Sequence, residues 1–182
     1  MKLNIGAGDE KYDGFLNCDY DDNCNPDYKF DLENDIWPFE DNSVDEIIAH
    51  HILEHMGEGY FHVMKEIYRV CKKDAIIDIW VPHHRHEYFA NDPTHRRPIT
   101  AEGLGLFSKK FNDICKEKKD ASSRLGHYFN VDFELAEVNN IPDQRYYKIF
   151  EGRPQEEVER YITEHNNVIM EVHVKLKVIK DE

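Results

Sequence analysis

The run Leu3-Asn4-Ile5-Gly6-Ala7-Gly8 constrains this chain more than any other stretch. A short apolar segment passes directly into two glycines one residue apart. A second apolar segment ends near Asp19, and a third ends at Asp31-Leu32. Glycines at such a place free the backbone for a tight turn and for close approach of a ligand. Strands ending in this order build an open parallel sheet whose carboxyl edge forms a ligand crevice. The glycines alone are served equally well by a plain tight turn after a buried strand, so the surroundings have to decide.

The surroundings are acidic. Of 182 residues, 37 are acidic and 23 basic, a formal net charge of −14. The acid crowds between Asp9 and Asp45, where Lys11 and Lys29 are the only cations. A solvated face accounts for that pattern, and so does a site for a positively charged ligand. Nucleic acid as a partner is disfavoured, because a phosphate-backbone footprint needs clustered Lys and Arg. The length suits one domain with a sizeable core. Cys18, Cys24, Cys71 and Cys115 form no CxxC pair, which points to idle thiols in a reducing compartment. The N-terminus runs straight into a strand, with no signal-peptide pattern. No apolar run approaches the ~20 residues of a membrane helix. A cytoplasmic protein without a membrane partner is expected.

Along the chain, strands are expected at Lys2–Ile5, Phe15–Tyr20, Tyr28–Leu32 and Ser43–His50. A short helical turn should follow over Ile52–Met56. Phe61, Met64, Ile67, Tyr68 and Cys71 fall at helical spacing and predict a helix over Tyr60–Lys73, ended by Lys72-Lys73-Asp74. Ala75–Val81 is nearly all apolar, as for a strand covered on both faces. Ala101–Phe111 reads as helix and loop, and Phe111–Ser123 as a polar, mobile segment. Tyr128–Val138 alternates like a strand, Arg145–Phe150 reads as extended, Pro154–His165 as a helix, and Val168–Ile179 as the last strand. The fold class expected is α/β: a Rossmann-like, mostly parallel seven-stranded sheet with an antiparallel edge hairpin and helices on both faces.

Two cofactor types fit a glycine turn between strand and helix. A dinucleotide needs GxGxxG and an acid about 20 residues on. Here Lys11 stands at the third glycine, Asp19 comes too early, and Asp9-Glu10 would repel a pyrophosphate. S-adenosyl-L-methionine has no phosphate and carries a sulfonium and an ammonium, which an acidic rim suits.

The runs LNIGAGDEKYDGFLNCDY, DLENDIWPFEDNSVDEIIAHHILEHM and KEIYRVCKKDAIIDIWVPHH together resemble the class I S-adenosylmethionine-dependent methyltransferases. The likeness is greatest to small bacterial and phage-type members, in which a shortened turn replaces the first helix. It covers about residues 2 to 111 and, generically, the last strand. It implies a single methyltransferase domain over 1–182, with 1–82 as the cofactor-binding half and 83–182 as acceptor loops and antiparallel edge. The cofactor would be S-adenosyl-L-methionine. Gly6, Ala7 and Gly8 would pass under its methionine portion, Asp19 would hold both ribose hydroxyls, and Ile5 and Tyr20 would also belong to the cofactor-binding set. Asp31 and Leu32 would meet the adenine, and His50 the methionine end. His51 would lie near the transferable methyl. Ala7, where cysteine is commoner, and Ile36-Trp37-Pro38-Phe39, which should cap the adenine side, depart mildly from the family pattern.

Eleven histidines is a high count. His51, His84 and His95 are the catalytic candidates, since a histidine near neutrality can take a proton from a hydroxyl or amine. His55 is read as structural. His83, His84, His86 and His95 lack the spacing of a zinc helix, so no metal is expected. Arg96 and Arg97 could hold an acidic group of the acceptor. Methyl transfer to a small polar molecule, to oxygen rather than nitrogen, is the expected function. A non-catalytic binding module and a protein N-methyltransferase are the competing readings. The sequence leaves the oligomeric state open.

Overall fold

The structure is a computed structural model that describes residues 1–181. Glu182, the last residue of the expected domain, lies outside the described residues. The elements in order are β1 (Lys2–Ile5), β2 (Leu16–Asp19), β3 (Tyr28–Lys29), β4 (Val44–His50), α1 (Tyr60–Val70), β5 (Cys71–Pro82), α2 (Glu87–Asn91), α3 (Ala101–Gly105), α4 (Lys109–Lys118), α5 (Leu125–Phe129), β6 (Phe133–Pro142), α6 (Gln144–Phe150), α7 (Gln155–Glu164) and β7 (Ile169–Val178). One seven-stranded sheet in the order β3-β2-β1-β4-β5-β7-β6 carries them. β1 to β5 pair in parallel, and β7 runs antiparallel to both β5 and β6. The expected α/β sheet with an antiparallel edge is present. α6 and α7 fill the connection between its last two strands, so that edge is not a tight hairpin.

The core forms on one side of the sheet. Val63, Met64, Ile67 and Val70 line one face of α1, and all are buried together with Leu3, Ile5, Ile47, Ala49, Ile77 and Ile79. In β5 the alternate residues Ile76, Asp78 and Trp80 are only half-buried. That strand is fully covered on one face, not two, because polar side chains rather than a helix meet its other face.

Several boundaries differ from expectation for local reasons. α1 stops at Val70, not Lys73. The N–H groups of Asn42 and Ser43 donate to the carbonyls of Arg69 and Val70, which ties the helix end to the start of β4. Cys71 then pairs with Val44, and Asp74, at φ 63, marks the irregularity before Ile76 pairs with Glu46. Lys109–Lys118, which runs into the Phe111–Ser123 segment expected to be mobile, is a helix capped by the Ser108 side chain. Arg145–Phe150, read as extended, is helical: Asp143 caps it, and Tyr146 stacks on Phe150 one turn later. β6 begins at Phe133 because Leu125–Phe129 is a helical turn. Between β1 and β2 there is no helix, only the turn from Gly6 to Phe15, as the resemblance implied. No helix among the described residues is long and apolar enough to cross a membrane.

Candidate functional site

A cavity of about 510 Å3 opens at the carboxyl ends of β1, β2 and β4. Gly6, Asp19, Tyr20, Asp31 and Leu32, all expected to hold a cofactor, line it. Gly6 is required twice over. Its φ is 61°, and a Cβ there would lie 2.3 Å from Cγ1 of Ile52, which also lines the cavity. Asp19 is buried and oriented by backbone: the Gly8 N–H donates to Oδ2 (2.9 Å) and the Asp21 N–H to Oδ1 (3.0 Å). Each oxygen keeps a lone pair for a ligand hydroxyl. At Asp31, Asn34 donates to Oδ2 and the Glu33 N–H to Oδ1, both at 2.8 Å. The Asn34 amide, more than any other group, holds this carboxyl below its usual range.

The remaining expected contacts are displaced. Ile5 and Ala7 are buried and do not line the cavity, and neither does Gly8. His50 does not line the cavity. Its Nε2 is 3.0 Å from Asp78 and its Nδ1 3.2 Å from the Tyr12 hydroxyl, on the open face of the sheet. Trp37 does not cap the slot either. It is buried against Phe30 and donates from its indole to the Leu32 carbonyl at 3.2 Å, so it positions Leu32 from below. The connection holding Trp37 is clamped to α1. Glu66 accepts from the Trp37 N–H and from Arg69, whose guanidinium also reaches the Phe39 and Trp37 carbonyls.

Glu33, Ile52 and Met56 continue the wall, and His51, His55, Thr94 and Arg96 give it histidines, a hydroxyl and a cation. His51 follows β4 with φ 52, a left-handed backbone that a branched side chain would strain. Its ring stands between Glu171 (3.2 Å) and Glu54 (3.5 Å). The Glu171 contact, then that with Glu54, raises its pKa to about 10. The ring is therefore an imidazolium near neutrality, a donor and not a base. His95 is mostly buried behind the wall, with Nδ1 on the Phe89 carbonyl at 2.9 Å. His84 is exposed, tilted against His83, and is not among the lining residues. Arg97 is consumed structurally: its guanidinium binds the Met56 and Gly57 carbonyls and lies over Tyr60. Arg96 alone of the pair faces the cavity.

The metal reading weighed for His83, His84, His86 and His95 fails on geometry. His86 is buried and turned to Asp143 at 3.2 Å. His95 instead meets Glu54 and His55. Glu54 was missed by sequence reasoning. Its signal was a carboxylate between Leu53 and Met56, both fully apolar and both buried. A larger cavity of about 650 Å3 lies by α3, α4 and β6. Its wall is mostly apolar, with Leu106, Phe111, Leu135 and Val138, and it shares no lining residue with the glycine turn.

Residues 16–79 match the family described as the methyltransferase domain. The structure is similar to an S-adenosylmethionine-dependent methyltransferase from Archaeoglobus fulgidus, with a TM-score of 0.63 and 19% identity over 97% of this chain and 85% of that one. The chain carries the class I S-adenosylmethionine-dependent methyltransferase fold. A methyltransferase from Thermotoga maritima is similar at a TM-score of 0.59 and 14% identity, covering 97% of this chain and 81% of that one. The cyclase SpnF has the same score and identity, with 99% and 75% covered. No curated protein sequence matches the chain. The matched domain implies S-adenosyl-L-methionine as the cofactor and an enzyme that transfers its methyl group.

Proposed function

We propose that this protein transfers a methyl group from S-adenosyl-L-methionine to a hydroxyl oxygen of a small polar acceptor. The carrying observation is a single cavity that joins the Gly6 turn, Asp19 and Asp31 to a wall of His51, His55, Thr94 and Arg96. The bound cofactor supplies an electrophilic methyl on a sulfonium. Asp19 would accept from the ribose hydroxyls with the lone pairs left by Gly8 and Asp21. Asp31 would accept from the adenine amino group, beside Leu32. Residues 1–82 thus form the cofactor half, and the segment after β5 brings Thr94 and Arg96 to the acceptor. Arg96 favours an acceptor with an acidic group. A neutral amine attacks without help, whereas a hydroxyl gains from a proton acceptor. The group of Glu54, His55 and His95 beside the wall can assist release of that proton, and this favours oxygen over nitrogen.

Calorimetry with S-adenosyl-L-methionine and its demethylated product tests the cofactor half. Saturable binding of both is expected, weakened in Asp19→Ala. No binding at millimolar concentrations overturns the reading. A turnover assay for the demethylated product, run with hydroxylated and with amine acceptors, tests the choice of atom. Turnover confined to amines removes the preference for oxygen.

A further inference from the structure

We propose that Glu54, His55 and His95 form a binding site for one divalent transition-metal ion beside the cofactor slot. Each residue offers a ligand atom, and the three atoms lie within 4.8 Å of one another. Glu54 Oε1 is 4.0 Å from His95 Nε2, a spacing too wide for a hydrogen bond.

The state of Glu54 is the second observation. Its side chain is 1% exposed, and neither carboxylate oxygen takes a hydrogen bond among the described residues. A buried carboxylate with one cation at 3.5 Å and no hydrogen bond is costly, and proteins rarely keep one without a use. His51 approaches Oε1 only to 3.5 Å.

The tautomers of both histidines follow from their outer partners. The Phe89 carbonyl can only accept, so His95 carries its proton on Nδ1 and turns a lone pair on Nε2 toward Glu54. Thr94 gives its hydroxyl proton to Asp92 Oδ1 at 2.6 Å, so its oxygen accepts from His55 Nδ1 at 2.9 Å. His55 Nε2 is then free as well. Imidazoles that bind metal show this arrangement: one nitrogen held by a carbonyl or a carboxylate-backed group, the other presented. Asp92 Oδ2, 3.9 Å from His95 Nε2, adds a second negative charge.

Backbone hydrogen bonds also tie the two segments of the site together. The N–H groups of Arg96 and Arg97 both donate to the Glu54 carbonyl, at 2.8 and 3.2 Å. The 92–97 loop and the 53–55 turn are thereby locked together. Two imidazoles and one carboxylate suit Mn2+, Fe2+, Co2+ or Zn2+ better than the all-oxygen preference of Ca2+ or Mg2+. Three protein ligands leave coordination positions open, and His55 and Thr94 line the cavity.

The use of the ion rests on the methyl-transfer reading, although the site does not. A hydroxyl held by the ion has a lowered pKa. Its proton passes to water, its oxygen forms the new O–CH3 bond, and the S–CH3 electron pair returns to sulfur as the thioether leaves.

The test is to strip the full-length protein with chelator and titrate it with Co2+, by calorimetry and by visible absorption. One Co2+ per chain is expected, with a visible band that Zn2+ abolishes. Glu54→Gln and His95→Ala should lose it, and Thr94→Val should bind about tenfold to hundredfold more weakly. His84→Ala, at the exposed His83–His84 pair, should bind like the parent. Circular dichroism and cofactor calorimetry on each variant separate lost ligands from lost fold, and Thr94→Val serves where a ligand variant fails to fold. No uptake at millimolar Co2+, or uptake unchanged in Glu54→Gln and Thr94→Val, overturns the site. Cofactor binding without Co2+ uptake sinks the metal alone. Co2+ uptake without cofactor binding sinks the methyl-transfer reading alone.

Discussion

Two clusters of acid and histidine stand near the fourth strand, built from the same residue types and finished in opposite ways. On the open sheet face, Asp78 takes His50 at 3.0 Å and His173 at 3.2 Å, both on Oδ1. Tyr12 meets the other nitrogen of His50, Asn139 approaches that of His173 at 3.5 Å, and Trp80 stacks on His173. Burial pushes the Asp78 carboxyl upward, but the two imidazoles outweigh it and hold it below its usual range. The cluster is complete in itself. Beside the slot, Glu54 is more deeply buried and has no hydrogen bond. A network that answers its own polar atoms is a piece of structure. One that leaves a buried carboxylate and two lone pairs facing each other has kept its valence for something else.

This contrast can be broken most sharply by isosteric changes on each side. Glu54→Gln should lower turnover by roughly a hundredfold or more, the range of a lost proton acceptor or metal ligand, while metal-free thermal stability stays close to the parent's. Turnover near the parent's would make Glu54 as inert as Asp78. Asp19 stands between the two extremes, answered by two backbone N–H groups and open on the rest. Asp19→Ala should weaken cofactor binding about tenfold to hundredfold, as for a lost charged hydrogen-bond acceptor worth about 1.5–3 kcal/mol. Isothermal titration checks this. Asp78→Ala should cost about 1–3 kcal/mol in denaturant unfolding, since it strands two imidazoles, with cofactor affinity unchanged. A loss of affinity would mean that the closed cluster serves the slot after all.

The smallest effect concerns His83, half-buried with neither finish. Burial, then the nearby His84 and Arg85, depresses its pKa to about 4 from an ordinary 6.5. Between those values the unfolded chain binds the proton and the folded chain does not, so stability rises with pH across the window. Going down from 6.5 it falls, and it levels off near 4. His83→Gln should flatten that slope, as read from unfolding midpoints across the window. An unchanged slope would assign it to other groups.

The glycine-turn side of the cavity was legible because its information is local. A glycine pair and an acid at a strand end announce themselves within a few residues, and Gly6, Asp19, Asp31 and Leu32 line one cavity. The sheet and α1 were legible from periodicity for the same reason. Glu54 and His95 were not paired in advance, because they meet only through the tertiary bonds from Arg96 and Arg97 to a turn about 40 residues earlier. Arg97 was misjudged likewise: the stack on Tyr60 that removes it from the cavity has no trace in its own neighbourhood. In β5 the apolar run hid Asp78, whose partners lie on two other strands. α4 was missed because its surface is charged and its cap is a single serine.

One carbonyl, that of Glu54, takes two backbone donors from the 92–97 loop. Peeling the loop from the turn would break both bonds at once, so the two segments travel as one body. The wall carrying His55, Thr94 and Arg96 is thereby pinned at a single atom. Tyr20, 74% exposed, lines the same cavity and is held by no such anchor to the 92–97 loop.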